Sequence, residues 1–274
     1  MDQRKVILLT GASSGIGYET AKRLIEKGNL VYCAARRVER MDSLKKMGGI
    51  PRALDVADEQ ACRDLVSEIR SVEGRLDVLV NNAGYGLYGA VEETSIEEAR
   101  RQFDVNIFGL ATLVQAAIPL MRQQGRGRIV NVSSIGGKIY TPLGAWYHAT
   151  KHALEGWSDC LRMEVASFGI DVVIVEPGLI ATEFSNVASS RFPKAKVEVS
   201  AYKGIIKPYM AMMENPRSQG TPAHRFAKTM EKAILSPRPK TRYVSGYLAR
   251  PSLFMRRWLS DGGYDRMIRR MLLS

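Results

Sequence analysis

An eight-residue turn at positions 10–17, Thr-Gly-Ala-Ser-Ser-Gly-Ile-Gly, constrains this chain more than any other stretch. Before it, residues 6–9 form a short continuous apolar run, Val-Ile-Leu-Leu, as a fully buried strand requires. After it, Ile16, Thr20, Leu24 and Ile25 recur at helical spacing, and Gly28 can end that helix. Gly11, Gly15 and Gly17 thus lie between a strand and a helix. There they allow a tight turn, close approach of backbone to a ligand, and close helix–strand contact. The helix start offers unpaired N–H groups and partial positive charge, which suits a pyrophosphate cradled by Gly11, Ser13, Ser14, Gly15, Ile16 and Gly17. The spacing Gly-x3-Gly-x-Gly is a variant of the commoner dinucleotide fingerprint, and no Lys-Ser/Thr follows as in a Walker loop. By itself the turn is also compatible with a glycine-rich corner that binds nothing.

Strand and helix patterns then alternate. Strands are expected at 30–35, 50–54, 76–80, 128–132 and 170–175, with helices at 39–47, 58–72, 105–122 and 145–167. The order predicts an α/β fold, a Rossmann-type doubly wound parallel sheet covered by helices on both faces. No repeat, low-complexity segment or linker divides the chain, so residues 1–274 read as a single domain. Residues 180–220 break the rhythm with a long irregular insertion. That is where an open α/β sheet would carry a C-terminal substrate cover. A helix at 221–235, a strand at 241–245 and two short basic helices complete the chain.

In such a fold the end of the second strand lies beside the adenosine ribose. An acidic residue there would bond the 2′-hydroxyl and repel a 2′-phosphate. This chain has Arg36 and Arg37, whose guanidinium groups match phosphate in charge and shape, so NADP(H) is expected in preference to NAD(H). Asp55 and Val56 would close over the adenine, with Asn82, Ala83 and Gly84 on the other side.

Tyr147 and Lys151 lie four apart on a helical stretch and so share a face. A phenol is a poor base at neutral pH, and a nearby ammonium would favour its phenolate. Tyr147 could then exchange a proton with an alcohol or carbonyl oxygen, with Lys151 also holding the nicotinamide ribose. Alone, such a pair is commonly an exposed helix face; its setting is what matters. Ser134 stands at the expected C-terminal end of a strand, where ligands of open α/β sheets bind. Asn106 lies within a helix that its residue type disfavours. Its amide could hold a water joined to Lys151, or simply bond nearby backbone.

Taken together, Thr10-Gly11-x3-Gly15-x-Gly17, Asp55, Asn81-Asn82-Ala83-Gly84, Asn106, Ser134, Tyr147-x3-Lys151 and Pro177-Gly178…Thr182 resemble the short-chain dehydrogenase/reductase family over about residues 4–185. Within it, Asn81-Asn82-Ala83-Gly84-Tyr85-Gly86-Leu87 and Ala35-Arg36-Arg37 are most like the group similar to 17β-hydroxysteroid dehydrogenases and retinol dehydrogenases. The resemblance implies a catalytic set of Ser134, Tyr147 and Lys151 with Asn106 as fourth member. Thr182, after Pro177 and Gly178, would meet the nicotinamide carboxamide. It further implies a homodimer or homotetramer and a small-molecule carbonyl or alcohol substrate. A non-catalytic NADP(H)-binding sensor on the same fold would not need all three catalytic residues, and a basic interaction protein would not need the glycine turn.

Met, Ile and Tyr residues of the cover, with residues 135–142, Tyr85 and Leu87, suggest an apolar cleft for a bulky steroid- or retinoid-like substrate. Lys and Arg total 40 against 28 Asp and Glu; residues 201–274 hold 15 of the former and 4 of the latter, so the excess belongs to the C-terminal quarter. The basic tail, 251–274, could contact an anionic membrane, cover the pocket or join subunits; no nucleic-acid partner is expected. Three widely spaced cysteines fit a cytoplasmic location, peripheral membrane contact being the minor alternative. No metal site is expected: His148 and His152 share a helix face, but with His224 they make no ligand set. No apolar run approaches the roughly 20 residues of a membrane span.

Overall fold

The computed structural model describes residues 4–183, 194–214 and 220–273. Seven parallel strands form one sheet: β1 (Val6–Thr10), β2 (Leu30–Ala35), β3 (Ile50–Ala53), β4 (Val78–Asn81), β5 (Gly127–Val132), β6 (Ile170–Pro177) and β9 (Arg242–Ser245). Their spatial order is β3-β2-β1-β4-β5-β6-β9. A separate two-stranded pair joins β7 (Ile180–Ala181) to β8 (Thr221–Pro222). The chain leaves β1 toward one side of the sheet and later returns to its other side at β4. The crevice beyond the ends of β1 and β4 is therefore where the strand order reverses and where ligands of such sheets bind.

Alternation along the strands builds two cores. Val6 and Leu8 of β1 face one layer with α3 (Glu59–Glu73), α5 (Gly109–Gln123) and α6 (Ala145–Val165). Ile7 and Leu9 face the other layer with α1 (Gly15–Glu26) and α9 (Ala223–Leu235). Arg23 of α1 and Glu231 of α9 close the outside of that second layer at 2.5 Å. All five residues of β1 and all four of β4 are buried, as expected for central parallel strands.

Two differences from the sequence reading matter for the site. The helix expected at 105–122 begins earlier: α4 (Ile96–Phe103) starts at a capping box formed by Ser95 and Glu98, then runs through a π-helical turn (Asp104–Phe108) into α5. The joined helix Ile96–Gln123 is long and apolar enough, by length and composition, to cross a bilayer. Half of its most apolar window is nonetheless buried in the protein, so it serves here as a core helix. The insertion at 180–220 is also more regular than expected, containing α7 (Lys194–Val199) and α8 (Lys203–Glu214). The side chains of Met212 and Met213, expected in the cover, lie outside the described residues. After β9 come the two basic helices, α10 (Ala249–Trp258) and α11 (Asp261–Leu273).

Candidate active site

Thr10, at the end of β1, ties two strand ends together. Its hydroxyl donates to the Val80 carbonyl at 3.3 Å and accepts the N–H groups of Asn82 and Ala83 at 3.1 and 3.0 Å. The Asn82 amide returns a bond to the Thr10 carbonyl at 2.9 Å. Glycine is required in the turn that follows. Gly11 and Gly15 have φ of 71° and 54°, and a Cβ on Gly17 would overlap the Gly11 carbonyl oxygen and stand 2.5 Å from Asn82 Nδ2. Ser14 occupies the N-cap of α1, yet its side chain makes no capping bond and the first turn holds no acid. A Cβ on Gly15 would lie 3.1 Å from the Thr182 side chain, so the segment after β6 comes back against the turn. The backbone around Ser13, Ser14 and Gly15 is thus the open end of a helix dipole facing a strand-end crevice.

Arg36 and Arg37 directly follow β2. Arg37 lies 3.7 Å from Glu183, which Arg40 holds at 2.9 Å. Arg36 is exposed and makes no ion pair among the described residues, although its charge reaches Asp55. Burial would raise the Asp55 pKa, but the Ala57 N–H and the Arg101 guanidinium, at 3.1 and 2.6 Å, together hold this carboxyl below its ordinary range. Val56 is buried, with its carbonyl pressed against Gly109 at the start of α5.

Ser134 follows β5; its hydroxyl accepts the Gly136 N–H at 2.9 Å and lies near enough to the Tyr147 phenol to lower its pKa. Tyr147 is buried on the first turn of α6. One turn on, the ammonium of Lys151 donates to the Val132 carbonyl at 2.9 Å and lies beside Gly84. The electrostatics differ from the sequence expectation. Burial pushes the Tyr147 phenol up to about 12, with the Ser134 hydrogen bond pulling the other way. Burial also brings Lys151 down to about 8, opposed by Glu155. Desolvation of both groups outweighs any acidifying effect of the ammonium on the phenol.

Asn106 sits at the π-helical turn, but its side chain is already engaged. It accepts the Tyr85 N–H at 3.2 Å and donates to the Tyr85 carbonyl at 3.0 Å and the Thr150 hydroxyl at 3.1 Å. Its amide therefore clamps the segment after Gly84 to α6; the alternative of bonding nearby backbone is the one realised for the side chain.

Several residues of the site were not singled out as parts of it. The Thr141 N–H donates to His148 Nε2 at 3.1 Å, so Nδ1 carries the ring proton and donates to the Gly136 carbonyl at 2.9 Å. This neutral imidazole, its pKa lowered by burial, braces the loop from Ser134 to α6. The only sequence signal was its place next to Tyr147. Tyr88, rather than Leu87, faces the phenol: its ring lies 5.5 Å from Tyr147 and 5.6 Å from Tyr209 of α8. Leu87 is buried, with its N–H bonded to Gln102 at 2.9 Å. Tyr209 packs with Ala90, Leu143 and Ile206, which sets α8 against the ring of Tyr88. Leu143 holds a left-handed backbone (φ 66°) within that cluster.

Behind Lys151 lies an ionic network built on the buried carboxyls of Glu155 and Glu176. Glu155 is 3.0 Å from Lys138 and 3.1 Å from Arg242, and Arg242 also reaches Asp159 and Glu176 at 2.6 and 3.1 Å. It links the loop after Ser134 to α6, β6 and β9.

A model of the short chain dehydrogenase family matches residues 5–191. Over 267 residues, 97% of each chain, the sequence is 32% identical to a probable short-chain type dehydrogenase/reductase, VdlC, of Helicobacter pylori. Over 184 residues, 67% of each chain, it is 41% identical to a 3-ketodihydrosphingosine reductase of Bacteroides thetaiotaomicron. Among solved structures, the closed form of a serine dehydrogenase complexed with NADP+ has a TM-score of 0.76 at 26% identity, over 89% of this chain and 95% of that one.

Proposed function

The chain belongs to the short chain dehydrogenase family, and from that premise we propose that it is an NADP(H)-dependent oxidoreductase interconverting a carbonyl and a secondary alcohol on a hydrophobic substrate. One observation carries the reading: Tyr147 and Lys151 are buried one turn apart on α6, with the Lys151 ammonium 2.9 Å from the Val132 carbonyl at the end of β5 and the phenol under the influence of Ser134.

The residues present fit the cofactor. The uncapped start of α1 and the tight turn that Gly11, Gly15 and Gly17 permit suit a pyrophosphate, with Ser13, Ser14 and Ile16 around it. Arg36 suits the 2′-phosphate, Arg37 being partly taken by Glu183. Asp55 and Val56 would flank the adenine, while Asn82, Ala83, Gly84 and Lys151 would line the next part of the cleft. Pro177, Gly178 and Thr182 would meet the nicotinamide end. The similar serine dehydrogenase structure, an NADP+ complex, supports this choice over NAD(H).

The cofactor supplies the hydride that adds to the carbonyl carbon in the reductive direction. Ser134 holds the substrate oxygen, and Tyr147, protonated at neutral pH, gives that oxygen its proton. Lys151, next along the same helix face and titrating near 8, can return a proton toward the phenol. Asn106 and His148 position the two segments that flank this pair. The aromatic and aliphatic wall of Tyr88, Leu143, Ile206 and Tyr209 supports an apolar substrate, and the similarity to a 3-ketodihydrosphingosine reductase is in keeping with it. Helix pairing into a homodimer or homotetramer would use outward residues such as Phe108 and Met163, both exposed.

Tyr147→Phe should bind NADPH as the unaltered protein does, yet lose roughly 100- to 10,000-fold in turnover of whichever steroid, retinoid or long-chain ketone proves best in a screen. Calorimetric NADPH titration and absorbance at the nicotinamide band read the two arms. Turnover within a few-fold of the parent would overturn the assignment.

A further inference from the structure

Of the acids on the C-terminal helices, Asp261 is spent on Arg256 of the same pair and Asp265 on the body of the protein, and most of their arginines are left outside. Residues 249–273 contain six arginines and two aspartates. Asp261 pairs with Arg256 at 2.9 Å, and Asp265 accepts the Tyr140 hydroxyl at 3.0 Å. Arg256 also lies over the rings of Tyr140 and Tyr264 at 5.3 and 5.7 Å. These contacts, with Ala249 and Tyr264 buried against Ile135 and Ile139, fix α10 and α11 to the loop that follows Ser134. Arg250, Arg257, Arg266, Arg269 and Arg270 make no ion pair among the described residues.

Large apolar side chains stand among those free charges. Phe254 and Trp258, one helical turn apart, are 65% and 70% exposed, and Leu259 and Met271 are exposed as well. Arg250 precedes Phe254 by one turn, so cation and rings share a face. A cleft of about 570 Å³ along α11 is lined by Leu259, Gly263, Met267 and Met271, with Arg266 and Arg270 at its sides.

We infer that α10 and α11 form a contact surface for an anionic phospholipid bilayer. Phe254, Trp258 and Leu259 enter the boundary between headgroups and acyl chains, where amphipathic rings are favoured, and the arginines bind headgroup phosphates with two parallel hydrogen bonds each. The charge excess selects an anionic partner; the exposed rings and aliphatic cleft select one with a hydrocarbon layer rather than a nucleic acid. The same helices lie close to the candidate site, since Ile268 packs on both the Tyr209 cluster and the cluster beneath Tyr140. A substrate dissolved in the bilayer would thus be taken up close to the cover, a consequence that rests on the oxidoreductase reading; the lipid contact does not.

The test is co-sedimentation of the full-length protein with vesicles of phosphatidylglycerol and phosphatidylcholine, and of phosphatidylcholine alone. Binding is expected to the anionic vesicles, at least roughly ten-fold tighter than to neutral ones, and to weaken with added salt. Phe254→Ser/Trp258→Ser and Arg266→Gln/Arg270→Gln should each reduce it, the latter by about five-fold per charge removed, with unchanged thermal unfolding. Equal binding to both vesicle types would overturn the proposal, as would variants that bind like the parent. Loss of a dimer in the Phe254/Trp258 variant without loss of vesicle binding would assign this face to a second copy of the chain. Salt dependence of the unaltered protein decides the matter should a variant fail to fold.

Discussion

Arg36 and Arg37 are neighbours with unequal surroundings. One guanidinium is free of ion pairs among the described residues, and the other lies 3.7 Å from Glu183. A charge-assisted bond to a phosphate contributes about 1.5–3 kcal/mol, so Arg36→Ala should weaken NADPH binding roughly 10- to 100-fold. NADH, lacking the 2′-phosphate, should bind within about three-fold of the parent value. Arg37→Ala should give the smaller loss. Parallel calorimetric titrations with both nucleotides check this, and an equal loss for both would remove the phosphate role. Which of the two arginines is free was not legible in the sequence, because Glu183 comes from a segment after β6, far along the chain. The same holds for Asn106. Its identity marked it, but only the fold shows its amide consumed by Tyr85 and Thr150.

At the scale of elements, the first strand–turn–helix unit was readable because each of its glycines answers a local steric demand. Gly17→Ala would drive a Cβ into the Gly11 carbonyl, backbone that has nowhere to move. Overpacking of this kind costs about 1–3 kcal/mol and should lower the melting temperature by roughly 2–10 °C, with loss of NADPH binding. Gly156→Ala is the contrast. It lies on the exposed side of α6 with nothing within 4 Å of the added carbon, and should raise the melting temperature by roughly 1–3 °C. Calorimetry of both variants tests the argument, and a neutral Gly17→Ala would refute it. The start of α4 was missed for a plain reason. Its stretch is dominated by charge, and only Ala99 and Gln102 of its eight residues are buried, so no apolar period marks it. The Ser95/Glu98 capping box was the available signal. The π-helical turn had none, because it is set by packing.

At the scale of the whole molecule, the alternation of strands and helices made the sheet legible, whereas the ionic network did not announce itself. Its members come from the loop after β5 and from α6, β6 and β9. Burial, then the neighbouring Glu155, raises the Glu176 pKa from 4.5 to about 7. The folded chain therefore binds a proton there between those values that the unfolded chain has released. Stability from this group is complete below about pH 4.5 and disappears as pH rises through about 7. Glu176→Gln should remove that decline, so the parent should lose melting temperature relative to the variant between roughly pH 5 and 8. Scanning calorimetry across that range measures it, and parallel profiles would show that Glu176 does not titrate there.

Leu143 ties these scales together. A left-handed backbone costs a non-glycine residue about 1–2 kcal/mol, whereas full burial of a leucine side chain contributes about 1.5–3 kcal/mol. At this position the second figure depends on Ile206 and Tyr209 of α8. Were α8 to withdraw, the sign would reverse, and the turn four residues before the phenol would relax toward an ordinary conformation. The position of α8 and the shape of the turn that leads into α6 therefore draw on the same contacts, joined at a single leucine.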